Sequence, residues 1–165
     1  MKNLKTYKAF EAIDIKPELY KYIDNKDIES IKEFVNDYDN FSRLDTRYKS
    51  YTPLIYCIVE LSSKKNKQIY RKIIKLLLNA GADPDAENNE KIRPLFYAVI
   101  SRDIKIIKYL IDAGADWSFR YADWVNNGQT FFEMLNDTDK EIIKQEYPEK
   151  YDRYIKKQKS NKFKL

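Results

Sequence analysis

Histidine is absent from this 165-residue chain. That excludes imidazole acid–base catalysis, nucleophile–histidine pairs and histidine metal ligands. Cysteine occurs once, as Cys57, so the chain predicts no internal disulfide, no thiolate metal site and a reducing environment. Glycine occurs three times, too rarely for flexible linkers. No run of apolar residues approaches the 18 or more that a membrane-spanning helix requires. The basic N-terminal stretch "MKNLKTYKAFEAIDIKPE" lacks the apolar core of a secretion signal. No cofactor, metal site or enzymatic activity is predicted, and the carboxylate pairs Asp37/Asp39 and Asp137/Asp139 sit in turn and cap contexts where Asp is ordinary.

What remains is rich in aromatics and charge. There are fourteen Tyr, eight Phe and two Trp, and 35% of residues are charged. The length suits one domain with its own core. Heavy use of Lys, Ile, Asn and Tyr is what an AT-rich genome would produce, and it carries no functional reading. The net charge of +5 is uneven. Residues 150–165 hold seven Lys or Arg against Asp152, a local +6, while the first 149 hold 24 basic and 25 acidic groups. The chain reads as a near-neutral body with a basic C-terminal helix or tail.

Aligning the chain with itself exposes a repeat. "LLLNAGADPDA" (76–86) and "YLIDAGADWSF" (109–119) share Ala-Gly-Ala-Asp, and Gly81 lies 33 residues before Gly114. "TPLIYCIV" (52–59) matches "RPLFYAVI" (93–100) at a spacing of 41, one period plus the eight residues of "SSKKNKQI". "LYKYIDNKDIESIKEFV" (19–35) is a degenerate earlier copy, placing Asp27 on Asp103 and Ile31 on Ile107. A last copy begins at Thr130, after a four-residue insertion in "WSFRYADWVNNGQ".

Each unit has one physical reading. Thr52 can cap a helix whose first residue is Pro53, where a missing N–H costs nothing. A second helix follows, with Ile104, Ile107, Leu110 and Ile111 at helical spacing. Gly114 then supplies a left-handed C-cap. Pro17 starts the first helix, Thr138 and Glu141 fit a capping box for the last pair, and Pro148 permits a further helix over 148–159 with Tyr151, Tyr154 and Ile155 on one side. No helix pair can bury its apolar face alone, so neighbours must stack.

The chain resembles the ankyrin repeat family. The residues that carry the resemblance are Thr52-Pro53-Leu54 with Cys57, Arg93-Pro94-Leu95 with Ala98, and Leu76-Leu77 and Leu110-Ile111 with their Gly-Ala-Asp sequels. Departures are Ile55, Phe96 and Glu133 at the family's histidine, Leu61 and Arg102 at its small residue before the second helix, and Arg93 at the helix-start threonine. The resemblance implies an all-α fold, an ankyrin-type α-solenoid of stacked helix pairs with β-turn or hairpin fingers. It places repeats at about 17–44, 45–83, 84–116 and 117–147 within a 1–149 domain, followed by the basic 150–165 segment.

The resemblance also implies a concave binding face rather than catalysis. Carried over by position, the finger tips are Tyr48, Lys49 and Tyr51, then Asn89, Glu90 and Ile92, then Asn126, Asn127 and Gln129. The first helices add Val59, Glu60, Ile100 and Ser101, with Ile92 and Ile100 singled out as exposed aliphatics. Trp117 and Phe119 read as core. Arg120, Tyr121 and Trp124 lie in the lengthened finger, either as a grip on a partner or as a lid over the last repeat.

Charge adds two features. The finger "DPDAENNEK" is acidic, whereas the stretch with Lys64, Lys65, Lys67, Arg71, Lys72 and Lys75 is basic, either a solvated face or a steering surface. In the tail, Lys156, Lys157, Lys159, Lys162 and Lys164 could meet phosphates, with Tyr154 and Phe163 for stacking. The leading expectation is a monomeric, cytoplasmic, non-enzymatic protein that binds and occludes a protein partner. It would be a toxin-neutralising immunity protein, or a pathogen or viral protein capturing a factor in the host cytosol. A nucleic-acid-associated protein acting through the tail is the alternative.

Overall fold

Two rows of helices build the protein. The computed structural model describes residues 17–37, 40, 43–61, 66–120 and 128–162. Within them lie α1 (Glu18–Asn25), α2 (Ile28–Asn36), α3 (Pro53–Leu61), α4 (Lys67–Asn79), α5 (Pro94–Ile100), α6 (Ile104–Asp112), α7 (Phe131–Met134), α8 (Asp137–Glu146) and α9 (Pro148–Lys162). α1, α3, α5 and α7 pack in sequence as the first row, and α2, α4 and α6 as the second. The β pairing among the described residues is confined to two isolated bridges, Tyr48 with Tyr51 and Arg120 with Thr130. This is the all-α solenoid expected.

Local chemistry sets the helix boundaries. The buried Thr52 hydroxyl accepts from the Ile55 amide at 3.3 Å, and Pro53 opens α3. Thr130 and Glu133 form a reciprocal capping box on the four-residue α7. The last pair corrects the expectation of a Thr138–Glu141 box. Asn136 caps α8 by accepting from the Asp139 amide at 2.9 Å, which places Thr138 inside the first turn. Gly81 and Gly114 end their helices at φ 93° and 102°. Between the helices of a pair, Lys26 and Arg102 adopt φ 57° and 53°, the left-handed geometry for which a small residue is better suited.

The core runs between the rows. Leu54, Ile58, Ile73, Leu77, Ile107 and Leu110 are fully buried, each contributing roughly 1.5–3 kcal/mol by leaving water. Cys57 is fully buried, and burial raises its thiol far above the ordinary range. Trp117 is core as expected, 7% exposed and stacked on Phe131 at 6.1 Å. Asp103 is also buried, and Arg71 from the preceding repeat meets it with two nitrogens at 2.7 and 3.0 Å.

α9 docks on the last repeat. Tyr151 and Tyr154 pack on Phe132, at 5.1 and 5.5 Å between centroids. The Tyr154 hydroxyl lies 2.9 Å from that of Thr130. Lys150 donates to the Ile111 carbonyl at 2.7 Å, placing positive charge at the C-terminus of α6. Tyr154 is therefore 6% exposed, which corrects its assignment as a stacking platform for bases.

Candidate protein-binding face

The first finger turns through Lys49 and Ser50, both in the left-handed region at φ 49° and 78°. Tyr48 and Tyr51 exchange backbone hydrogen bonds of 2.9 and 3.1 Å across it. Two positive φ values define the tight hairpin turn that Asn-Gly normally fills, and a non-glycine residue held there costs on the order of 1 kcal/mol or more. The Tyr20 hydroxyl secures the base, 2.9 Å from the Thr46 carbonyl and 2.5 Å from that of Tyr51.

A different device shapes the second finger. Asn88 is 1% exposed. Its side-chain oxygen accepts from the amides of Glu90 and Ile92 at 2.8 and 2.9 Å, and its NH2 donates to the Tyr97 hydroxyl at 2.9 Å. Neighbouring fingers are laced together. Arg47 donates to the Glu87 carbonyl at 2.8 Å, and the Asn89 amide donates to both oxygens of Ser50 at 3.3 Å. Asp45 accepts from the Asp83 amide at 3.2 Å, and Asp85 from the Asp116 amide at 2.9 Å. Burial raises both carboxyls above their ordinary range, opposed by these backbone bonds and, at Asp85, by Arg93. Arg93 lies 3.4 Å from Glu87 and stacks 3.6 Å above the Phe119 ring. In the third finger the Arg120 guanidinium donates to the Gly128 carbonyl and lies 3.9 Å from Glu133.

Behind the fingers stand tyrosines of the first row. Tyr20 meets Tyr48 and Tyr56, each at 5.3 Å, and Tyr51 meets Tyr97 at 5.9 Å. The Tyr56 hydroxyl donates to Asp24 at 2.6 Å. Burial pushes the Tyr97 phenol up to about 12. Tyr48, Tyr51, Tyr56 and Tyr97 are half-buried, with faces left for contact and positions fixed by their neighbours. Rigid aromatics of this kind dominate protein interfaces, because they bring large area with few rotamers to immobilise.

The site residues expected from sequence distribute as follows. Tyr48 and Tyr51 join the tyrosine wall, while Lys49, Asn89 and Glu90 are exposed at the tips. Ile100 is 59% exposed at the end of α5. Val59, Glu60, Ser101 and Gln129 are half-buried. Ile92 is a correction. It is 7% exposed, because its amide and carbonyl close the second finger onto Asn88 and draw its side chain inward. Arg120 is exposed, but its guanidinium braces its own finger. Tyr121, Trp124, Asn126 and Asn127 lie outside the described residues.

Sequence reasoning missed Asn88, Tyr56 and Tyr97. The tyrosines had a signal, because Pro17, Pro53 and Pro94 are each followed three residues later by Tyr20, Tyr56 and Tyr97. Asn88 had none, since a lone Asn in a polar turn reads as solvated. Arg71 and Arg93, read as charge and as a departure from the motif, brace neighbouring repeats, Arg71 through its ion pair with Asp103 and Arg93, held by Asp85 and Glu87 of its own repeat, through Phe119 of the next.

Helix pairs joined by fingers and stacked in two rows define a helical repeat protein. The family model of ankyrin repeats matches residues 19–121 as three copies, and the chain belongs to the ankyrin repeat family. No curated protein matches the chain. Ankyrin repeats are protein–protein interaction modules.

Proposed function

We propose that this protein binds a partner protein through its fingers and first-row helices and acts by covering the partner's working surface. The tyrosine wall carries this reading. Four half-buried tyrosines stand behind two hairpin tips whose shapes are fixed before any partner arrives, so little ordering entropy opposes binding. Lys49, Asn89 and Glu90 form the polar tips, and Ile100 adds an apolar edge. The described residues of this face offer broad aromatic contact area, which suits occlusion of a partner. Neutralisation of a toxin by an immunity protein, or capture of a host factor by a pathogen protein, is the biological form that this reading takes.

Affinity capture from cells of the source organism, or of its host, tests the proposal. The parent protein is compared with two variants, Tyr51→Ala and the exposed charge swap Lys49→Glu with Glu90→Lys. A specific partner is expected to be retained by the parent and lost, by about tenfold or more in affinity, by both variants. Equal retention by all three proteins would sink the proposal. An adjacent toxin gene encoding the captured partner would select the immunity form.

A further inference from the structure

The second row carries a groove that none of the finger or first-row residues lines. It runs between α4 and α6, has a volume of about 440 Å³, and is walled by Arg71, Lys72 and Lys75 on one side and Lys105 and Tyr109 on the other. No acidic side chain among the described residues lines it. Arg71 is committed to Asp103. Lys72 and Lys105 are exposed and make no ion pair among the described residues, and the Lys75 ammonium sits 5.8 Å above the Tyr109 ring. Lys72 and Lys105 thus face one groove without a paired carboxylate among the described residues, with Lys75 beside them, so an anion entering it gains attraction and relieves repulsion.

The groove does not end at Tyr109. Lys75 and Tyr109 also wall a second depression of about 240 Å³, whose other sides are Leu78, Asn79, Asp112 and Ala113. Its character is different. Leu78 and Tyr109 are half-buried there, and Asp112, which accepts from the Tyr147 hydroxyl at 2.7 Å, brings a negative charge. From Gln68 to Asn79 the channel follows roughly 16 Å of helix, the reach of about five residues of extended chain.

We propose that this channel docks an acidic peptide segment of a protein partner, its carboxylates between Lys72 and Lys105 and an apolar side chain beside Leu78 and Tyr109. A nucleic-acid strand carries a phosphate at every step and would bring one against Asp112. The guanidinium that would grip phosphates bidentately, Arg71, is already occupied by a carboxylate. A peptide can confine its charge to one end, as the channel does. This surface and the finger face lie on different rows of helices, so the protein offers two docking surfaces.

Fluorescence polarisation with the full chain tests this, using the labelled peptide Glu-Glu-Glu-Glu-Leu-Phe, its reversed sequence, and an all-glutamate peptide. One of the two mixed peptides is expected to bind at low salt and to outcompete the all-glutamate control. Lys72→Glu with Lys105→Glu, confirmed folded by circular dichroism, is expected to weaken binding by about tenfold or more. Lys49→Glu with Glu90→Lys is expected to leave it unchanged. Absence of binding by both mixed peptides at low salt, an unchanged affinity after the lysine reversals, or stronger competition from a short single-stranded oligonucleotide would each overturn the proposal.

Discussion

The side-chain NH2 of Asn88 donates to the Tyr97 hydroxyl at 2.9 Å while its carbonyl holds the amides of Glu90 and Ile92. One buried residue therefore shapes a finger and fastens it to the helix behind. Asn88→Ala removes all three bonds and leaves the Ile92 amide buried without a partner. The expected loss is about 2–4 kcal/mol, read as a lowered urea midpoint at unchanged slope. Asn88→Asp keeps both acceptor bonds and should lose clearly less. Equal losses would show that the amide's double role is not what matters.

The left-handed positions make a paired prediction. A Cβ added at Gly114 would meet nothing within 4 Å, so the penalty of Gly114→Ala comes from φ +102° alone. That should cost roughly 1–2 kcal/mol. At Arg102, φ 53° already imposes this strain on an exposed non-glycine residue. Arg102→Gly should gain about 0.5 kcal/mol, the relief exceeding the entropy that glycine adds to the unfolded chain. Thermal melts of both proteins check the two signs, and a destabilised Arg102→Gly would contradict the account.

High pH should unfold the protein in a defined window. An ordinary tyrosine ionises near pH 10. Burial pushes Tyr97 up to about 12 and raises Tyr20 further, while burial and the bond to Asp112 raise Tyr147. These phenols stay protonated in the folded chain at pH values where the unfolded chain would ionise. Their stabilisation is complete below about pH 10 and is lost as pH rises towards and beyond the folded value. The melting temperature should fall steeply above pH 10, and phenolate absorbance should rise together with loss of helical circular dichroism. Full ionisation near pH 10 with the helices intact would refute this.

The Arg71–Asp103 pair should respond asymmetrically to truncation. The Asp103 side chain is 2% exposed and that of Arg71 21%. Arg71→Ala strands a buried carboxylate, whereas Asp103→Ala leaves a guanidinium that can still reach water. The first change should cost about 3 kcal/mol and the second clearly less, measurable in parallel denaturant titrations. The reverse order would mean that Asp103 acts mainly through another partner.

How much of this was legible follows from the range of each interaction. Thr52-Pro53 and Gly114 announce helix ends because their chemistry is confined to a few adjacent residues, and the structure places those ends where the motif put them. The Asn136 cap was missed because a capping pattern can be read in two registers along one turn, and only backbone position decides between them. Ile92 looked exposed because fingers are generally polar. It is buried because Asn88, four residues earlier, folds the finger around it. Arg93 and Arg71 were unreadable as braces, since Phe119 and Asp103 come from the next repeat and the alignment of a chain with itself does not show which side chains meet across a stack.

The burial of Cys57 has a practical side. The one thiol in the chain is enclosed among the core helices and held in its unreactive protonated form. A cysteine placed at an exposed tip, as in Glu90→Cys, would then be the single site open to maleimide dyes or photo-crosslinkers without first removing the native sulfur. The native fold thus provides a silent background for chemical labelling, and a reporter at that tip can record which surface a partner covers while the core is left untouched.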